Sequence, residues 1–475
     1  MTDLRLFNSL TRQLEPFQPV HTGEARVYSC GPTVYNYQHI GNMRAYVFAD
    51  TLGRVLKFKG YDLKHIINIT DVGHLTSDAD AGDDKMEKAA ALAGKTAWNI
   101  AAFYTGEFKR DLQWLNVTEP AKWTVATDYV PAMIDYAKSI ADKHCYELDS
   151  GLYFDISTVP EYGRLARAAT DTGESRIDEV SGKRSSADFA IWRKTPPGET
   201  RQMEWDSPWG KGAPGWHLEC SVMSAAELGK PFDIHTGGID HREIHHPNEI
   251  AQNQAHECSA HTGANIWMHN NFLIDRGGKM SKSAGEFLRL QLLVDRGYHP
   301  LAYRLMCLQA HYRSELEFSW EGLGAALVRL KRMVMAFSTG DRAAGSGSFS
   351  DREADFRGRF DDAISDDLNS PQALTIFEEV LNAKGLGSGW KRSIAEEMEK
   401  VFGLKIFDLA RADLRIRPTS ASITEPEIEA ILAQRKEARA SKDFATSDKL
   451  RDELTAKGVE VMDGDPLEWD WKLEV

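Results

Sequence analysis

At 475 residues, of which 42% are hydrophobic, the chain is longer than one hydrophobic core ordinarily serves, so about two to four modules around a large catalytic domain are expected. Its 71 acidic and 57 basic side chains leave a net charge of -14, which excludes a uniformly basic nucleic-acid-binding surface and confines any RNA contact to local patches. No stretch approaches the roughly 18 to 20 consecutive apolar residues of a membrane span, residues 1–7 lack the apolar run of an export signal, and the scattered Cys30, Cys145, Cys220, Cys258 and Cys307 suit no disulfide framework, so a cytoplasmic protein with free thiols and no membrane partner is expected.

In chain order, residues 26–29 predict a short strand that runs into the turn Cys30-Gly31-Pro32. Residues 40–59 carry Ala45, Val47, Phe48, Leu52, Val55 and Leu56 at positions that suit a helix, and residues 63–69 predict a second strand. Strand, loop, helix and parallel strand make a βαβ unit, the seed of a doubly wound nucleotide-binding sheet with its ligand at the strand C-termini and phosphates near the first helix N-terminus. Residues 71–87, with Asp78, Asp80, Asp83 and Asp84, form an acidic loop whose spacing does not fit a calcium-binding EF-hand, so a solvated loop is expected. Short alternating patches over residues 125–194, with a Gly, Arg and Ser-rich stretch around 176–186, predict an insertion between two halves of the fold. The run Phe232-Asp233-Ile234-His235-Thr236-Gly237-Gly238 predicts a strand entering a glycine turn, followed by a helix with Pro247 at its first position and His246 as N-cap. Beyond Leu290 the pattern is helical, interrupted by a loop at 340–347, and residues 425–475 open with a charged hairpin bearing Arg435, Lys436, Arg439, Lys442, Lys449 and Arg451.

Two short motifs carry chemistry. His39-Ile40-Gly41-Asn42 lies where the first helix begins, and Lys279-Met280-Ser281-Lys282-Ser283 follows the Gly277-Gly278 turn. Alone, the first reads as an ordinary loop and the second as a solvated basic turn. Together, in this order and on these elements, they resemble the two signatures of class I aminoacyl-tRNA synthetases. When a carboxylate attacks the α-phosphate of ATP, negative charge grows on the phosphoryl oxygens and the departing pyrophosphate. His39, Asn42 and the helix N-terminus offer hydrogen bonds and a positive dipole end, and Lys279 and Lys282 offer cations from a glycine-hinged loop. The resemblance puts Gly41, Ser281 and Ser283 beside the nucleotide, with Mg²⁺ accompanying ATP. Asn42 stands where the class more often has a second histidine.

The resemblance sharpens at Tyr28-Ser29-Cys30-Gly31-Pro32-Thr33-Val34-Tyr35, Asn68-Ile69-Thr70-Asp71, Gly215-Trp216-His217-Leu218-Glu219-Cys220-Ser221, Phe232-Asp233-Ile234-His235, His245-His246-Pro247-Asn248-Glu249 and the segment from Asp366 to Leu374. These are similar to cysteinyl-tRNA synthetases over nearly the whole chain. The resemblance implies an α/β architecture: a Rossmann-like doubly wound parallel sheet in residues 1–125 and 196–265, a connective insertion at 126–195, a stem-contact region with the lysine signature at 266–320, a helical bundle at 321–417 and a small anticodon-binding module at 418–475. It implies a monomer that activates L-cysteine with ATP and transfers it to tRNA(Cys).

By position, Cys30, Cys220, His245 and Glu249 fall on that family's ligands for one Zn²⁺, a donor set that suits the ion although no C-x-x-C pair announces it. Pro247 stands where the family often has glutamate. Zinc would select the substrate's thiolate over a serine hydroxyl. Trp216, Thr70 and His235 resemble residues that wall and polarise the cysteine pocket, Gly31 and Thr33 approach the substrate's ammonium and backbone, and Asp240 faces ribose hydroxyls. The terminal hairpin is expected on tRNA phosphates, with Trp469 or Trp471 stacked on a base. Without the resemblance, buried cysteines and an isolated tryptophan read as core, and His256, Cys258 and His261, despite metal-like spacing, as helix-end packing. A cysteine ligase that forms an amide with an amino sugar, as in mycothiol biosynthesis, is the alternative enzyme, and residues 434–471 favour the tRNA enzyme over it. A degenerate RNA-binding relative is the third reading, opposed by Lys279, Lys282 and the four candidate ligands.

Overall fold

Eight elements build the catalytic core of the computed structural model, which describes residues 2–72, 85–166, 181–275, 278–279, 288–338, 351–383 and 388–473. They are β1 (Glu24–Ser29), α1 (Ile40–Phe58), β2 (Asp62–Ile69), β3 (Lys122–Val125), α2 (Trp216–Leu228), β4 (Phe232–Gly238), α3 (His245–Glu257) and β5 (Ala264–Asn270). The five strands are parallel throughout, in the order β5-β4-β1-β2-β3. Helices cover both faces, so the strands read as near-continuous buried runs; the last five residues of β2 are all buried. Strand order reverses between β1 and β4, where Ser29 lies opposite Thr236, and the C-terminal ends of these two strands therefore frame the crevice in which such sheets bind ligands.

The helix expected to start at Pro247 starts instead at His245, with Ile244 rather than His246 as N-cap. Proline is accommodated anywhere in the first turn, because N–H groups there have no intrahelical acceptor. The shift matters: it seats His245 and Glu249 four residues apart on one helical face. Between β3 and α2, helix Val130–His144 leads into an antiparallel sheet of Cys145–Leu148, Gly151–Phe154, Phe189–Lys194 and Gly212–Pro214, whose fourth strand lies beyond residue 195.

Past β5 the chain is mainly helical, ending in the hairpin Glu425–Ala440 and Phe444–Ala456 and a two-stranded ribbon, Val459–Val461 with Trp469–Trp471. Ile423, Ile428, Leu432, Leu454, Val459, Trp469 and Trp471 form a small core of their own. This overturns the expectation that Trp469 or Trp471 stacks on a base, since the two are only 2% and 4% exposed. Alternation in a strand sends residues 469 and 471 to the same side, the covered one, and the Arg415 guanidinium lies 3.5 Å from the Trp469 ring centre. Among the described residues, no helix is long and apolar enough to cross a membrane.

One buried ion pair fastens the sheet to the helical half. Arg304, with no solvent exposure, donates to Asp50 of α1 at 2.5 Å, to the Phe402 carbonyl at 2.6 Å and to the Leu115 carbonyl at 3.0 Å. Burial alone would raise the Asp50 carboxyl, but Arg304 and Arg54 hold it down to about 2. A depressed carboxyl contributes stability above its unfolded value of about 4 and loses it as the pH falls toward the folded value. Replacing Arg304 by Met leaves the buried Asp50 carboxylate with only Arg54 and the Thr118 N–H and removes the donor to the Phe402 and Leu115 carbonyls, so we expect a loss of about 2–4 kcal/mol in urea unfolding at pH 7. The difference from the parent should narrow as the pH drops from about 4 toward 2, and an unchanged urea midpoint at pH 7 would show that the pair does not hold these elements together.

Candidate functional site

A cavity of about 360 Å³ opens at the C-terminal ends of β1 and β4. Gly31, Thr33, His39, Thr70, Trp216 and Asp240 all line it. At Gly31 a Cβ would lie 1.5 Å from the Asn68 carbonyl oxygen, so only glycine lets the chain pass there. Its N–H donates to Asn68 Oδ1 at 2.7 Å, Asn68 Nδ2 donates to Thr70 Oγ1 at 3.2 Å, and Thr70 donates to the buried Glu219 carboxylate at 2.7 Å. The Gly31 N–H is therefore already used, and of that residue's two backbone groups only the carbonyl suits a substrate ammonium. Asn68 and Glu219 are the members of this chain that sequence reasoning did not single out: their motifs were visible, their joint geometry was not.

Beneath the cavity, Cys30 after β1, Cys220 on α2, and His245 and Glu249 on α3 bring ligand atoms within 4.8 Å of one another. His245 Nε2 lies 3.4 Å from Cys220 Sγ and 3.0 Å from Glu249 Oε1. Tetrahedral zinc with Zn–S near 2.3 Å and Zn–N near 2.0 Å spaces its ligand atoms roughly 3.3–3.8 Å apart, close to these values. Glu249 Oε1, although buried, meets the His245 ring at 3.0 Å and has no aligned hydrogen bond, which leaves it available to an ion. The donor set therefore fits a thiophilic divalent cation.

Cys30 and Glu249 also group with His235 and His246. The first grouping suits the site better, because Cys30, Cys220 and His245 line the cavity whereas His235 and His246 do not. His246 is engaged on both nitrogens, with Cys30 Sγ at 3.3 Å and His269 at 2.8 Å. His235, expected to polarise the substrate pocket, meets Glu249 Oε2 through Nε2 at 2.9 Å and stacks on Trp267, behind the carboxylate. Trp216 lines the cavity, its ring stacked 4.3 Å from that of His245.

The charges in this cluster depend on one another. Burial would raise the Glu249 carboxyl, but His235 and His245 draw it down to about 2. Burial disfavours a charged His245, yet Glu249 and the Cys220 sulfur outweigh it and raise that ring to about 10. A hydrogen bond from Cys30, helped by His245, brings the Cys220 thiol to about 6 against the effect of burial, while burial and Cys220 push Cys30 up. Coordination of a cation needs deprotonated sulfurs and a neutral imidazole, so metal uptake would release protons from Cys30 and His245.

At the rim, His39 is the N-cap of α1. Its Nδ1 accepts from Gly41 N at 3.1 Å, and Asn42 Oδ1 accepts from the His39 N–H at 3.3 Å. The cap uses the Asn42 oxygen, so only the Nδ2 donors of that residue suit a phosphate. The Ile40 N–H donates to the Leu288 carbonyl at 2.8 Å, which ties the chain following the second signature to the first. The backbone of Lys279 pairs with Ile274 in a short antiparallel ladder. The Lys279 side chain, Ser281, Lys282, Ser283 and residues 73–84 of the acidic loop lie outside the described residues. Asp240 is exposed at the cavity rim, as a ribose partner would be. Cys258 instead ends α3 in a left-handed conformation, φ 48°, and His256 stacks on Tyr136, in keeping with packing.

In the terminal module, Arg435 and Arg439 pair with Asp463, and Lys436 pairs with Glu468. Lys442, Lys449 and Arg451 form no ion pair among the described residues. Phe444, 61% exposed just past the hairpin turn, is the apolar ring this surface offers. Sequence reasoning passed over it because its helix neighbours gave no sign of which face is covered.

Residues 16–327 match the family model for the tRNA synthetases class I (C) catalytic domain, and residues 424–466 match that for the cysteinyl-tRNA ligase anticodon binding domain. The chain is 68% identical to the cysteine--tRNA ligase of Novosphingobium aromaticivorans, covering 99% of this chain and 97% of that protein. It is 52% identical to the cysteine--tRNA ligase of Zymomonas mobilis, covering 98% of each. Among solved structures, the methionyl-tRNA synthetase of Mycobacterium tuberculosis bound by methionyl-adenylate shares the fold with a TM-score of 0.54 at 14% identity, over 83% of this chain and 97% of that one. The matching terminal module leaves the amide-forming cysteine ligase disfavoured. The chain belongs to the cysteinyl-tRNA synthetase family of class I aminoacyl-tRNA synthetases.

Proposed function

We propose that this chain activates L-cysteine with ATP and transfers it to the 3′-terminal adenosine of tRNA(Cys). The observation that carries the reading is the convergence of two thiols, an imidazole and a carboxylate beneath a cavity at the sheet's switch point. Its five unpaired cysteines suit a reducing cytoplasm. Cys30, Cys220, His245 and Glu249 would hold one Zn²⁺. Bound there, the ion supplies a soft partner for the substrate's thiolate that a serine hydroxyl does not match.

The rest of the chemistry belongs to the chain's own groups. Gly31, Thr33 and Trp216 orient the amino acid so that its carboxylate oxygen faces the α-phosphorus of ATP, which arrives with Mg²⁺. As that P–O bond forms and the bond to pyrophosphate breaks, the His39 ring, the Asn42 amide and the N-terminus of α1 meet the charge on the phosphoryl oxygens, and Lys279 and Lys282 meet that on the leaving group. With Nδ1 accepting from Gly41, a neutral His39 carries its proton on Nε2, the tautomer that can donate. Gly41, Ser281 and Ser283 position the nucleotide, and Asp240 its ribose. A ribose hydroxyl of the tRNA then attacks the adenylate carbonyl, releasing AMP.

Elemental analysis of the purified protein should find about one zinc per chain, and Cys220→Ser should lose zinc and cysteine-dependent pyrophosphate exchange together; full retention of both would refute the site. Lys282→Ala should slow adenylate formation about a hundredfold or more while ATP affinity changes little, because the lysine meets charge that develops in the transition state. A change confined to ATP affinity would remove that role. Phe444→Ala should leave pyrophosphate exchange intact and weaken tRNA binding by about 1–3 kcal/mol through loss of one stacked base, seen as a raised KM for tRNA in charging assays. An unchanged KM would mean that the ring does not touch tRNA.

A further inference from the structure

Three aromatic rings beside the cavity mouth take no part in the chemistry above. Tyr37 lies edge-on to Tyr104 at 5.1 Å and to Phe103 at 6.2 Å, and these two meet at 5.1 Å. Phe103, on helix Ala97–Trp114, is 45% exposed. The Arg289 guanidinium sits 4.6 Å above the Tyr37 ring, and the Lys95 ammonium lies 5.4 Å from that of Phe103. The cluster is continuous with the active-site rim: Tyr35, Gln38 and His39, flanking Tyr37 in sequence, line the cavity, and Arg289 follows Leu288, whose carbonyl holds the Ile40 N–H. The nearby carboxylates Glu107 and Asp111 are both paired with Arg110, Asp111 also lies within electrostatic reach of Arg289, and Arg289 and Lys95 are the cations over the rings.

An exposed Phe103 ring beside the half-buried Tyr37 and Tyr104 rings, flanked by cations on a chain of net charge -14, matches a ligand that combines flat apolar surfaces with a polyanionic backbone. We propose that Tyr37, Phe103 and Tyr104, with Arg289 and Lys95, form a stacking platform for the unpaired 3′ end of the tRNA and guide its terminal adenosine into the cavity. This rests on the tRNA-charging reading above. Rings tolerate any base and the cations follow the backbone, so the platform positions the strand rather than reading its sequence.

The test compares binding of intact tRNA(Cys) with binding of the same tRNA lacking its unpaired 3′ nucleotides, using the full-length protein, Phe103→Leu and Tyr37→Phe. Leucine keeps the apolar packing of Phe103 and removes the ring. The parent should bind intact tRNA about tenfold more tightly than the shortened form. Phe103→Leu should erase most of that advantage and raise KM for tRNA, leaving cysteine-dependent pyrophosphate exchange unchanged, and Tyr37→Phe, which keeps the ring, should behave as the parent. An advantage that survives Phe103→Leu, or equal weakening of both tRNAs, would overturn the platform. So would loss of pyrophosphate exchange, which would make the ring structural. Failure of the parent itself to charge tRNA would instead overturn the function on which the platform rests.

Discussion

The site is organised around one costly feature, a carboxylate with almost no access to water. Glu249 cannot be buried as an isolated charge, so its surroundings must supply positive partners or a metal, and the structure answers with His235 on one oxygen and His245 beside the other. The second oxygen has no hydrogen bond of its own. Around that oxygen stand Cys30 from one half of the sheet and Cys220 and His245 from the other, so the need to satisfy a buried charge pulls the two halves onto one point. The outer histidines extend this packing as a line of side-chain contacts from His246 to His269 and Ser9.

Holding that point in register with the cavity requires backbone to approach backbone more closely than side chains permit. Gly31 lies so near the Asn68 carbonyl that any Cβ would collide with it, and at Gly237 a Cβ would come within 2.7 Å of the rings of His241 and His246. These glycines let the ends of β1 and β4 close on their neighbours. The hydrogen-bonded sequence from Gly31 through Asn68 and Thr70 to Glu219 then sets the cavity wall, linking β1, β2 and α2 without a solvent-exposed step.

The catalytic half is not independent of the helices that follow it. Arg304 joins α1, which carries the first signature at its N-terminus, to the helix ends at Leu115 and Phe402, and the Ile40 N–H is held by the chain just beyond the second signature. The helical half and the N-terminus of α1, where the phosphates are proposed to lie, thus belong to one hydrogen-bonded framework. The terminal module meets this framework through Arg415 on Trp469, through Lys331 and Arg411 paired with Asp470 and Asp465, and through Leu473, which packs against the main core as well as the module's own.

Much of this was legible in the residues. The βαβ opening, the strand at Phe232–Gly238 and the helical second half follow from local periodicity and glycine turns, which depend on neighbours a few positions apart. The two signatures, and the family to which they point, follow from residue identity and order alone. Spacing along the chain could not say which sulfurs and rings converge, because Cys30 and Cys220 are brought together by the reversal of strand order between β1 and β4. The resemblance gave His245 to the metal and His235 to the substrate pocket; the tertiary structure lines the cavity with His245 and sets His235, on β4, behind Glu249. Likewise Trp469 and Trp471 carried the composition of a stacking surface, and the side on which the hairpin folds made them core and left Phe444 outside. The sequence by itself determined the elements and the chemistry available, since propensity and side-chain identity are local. Tertiary structure alone decided which groups share a face, because burial and convergence depend on residues that are distant along the chain.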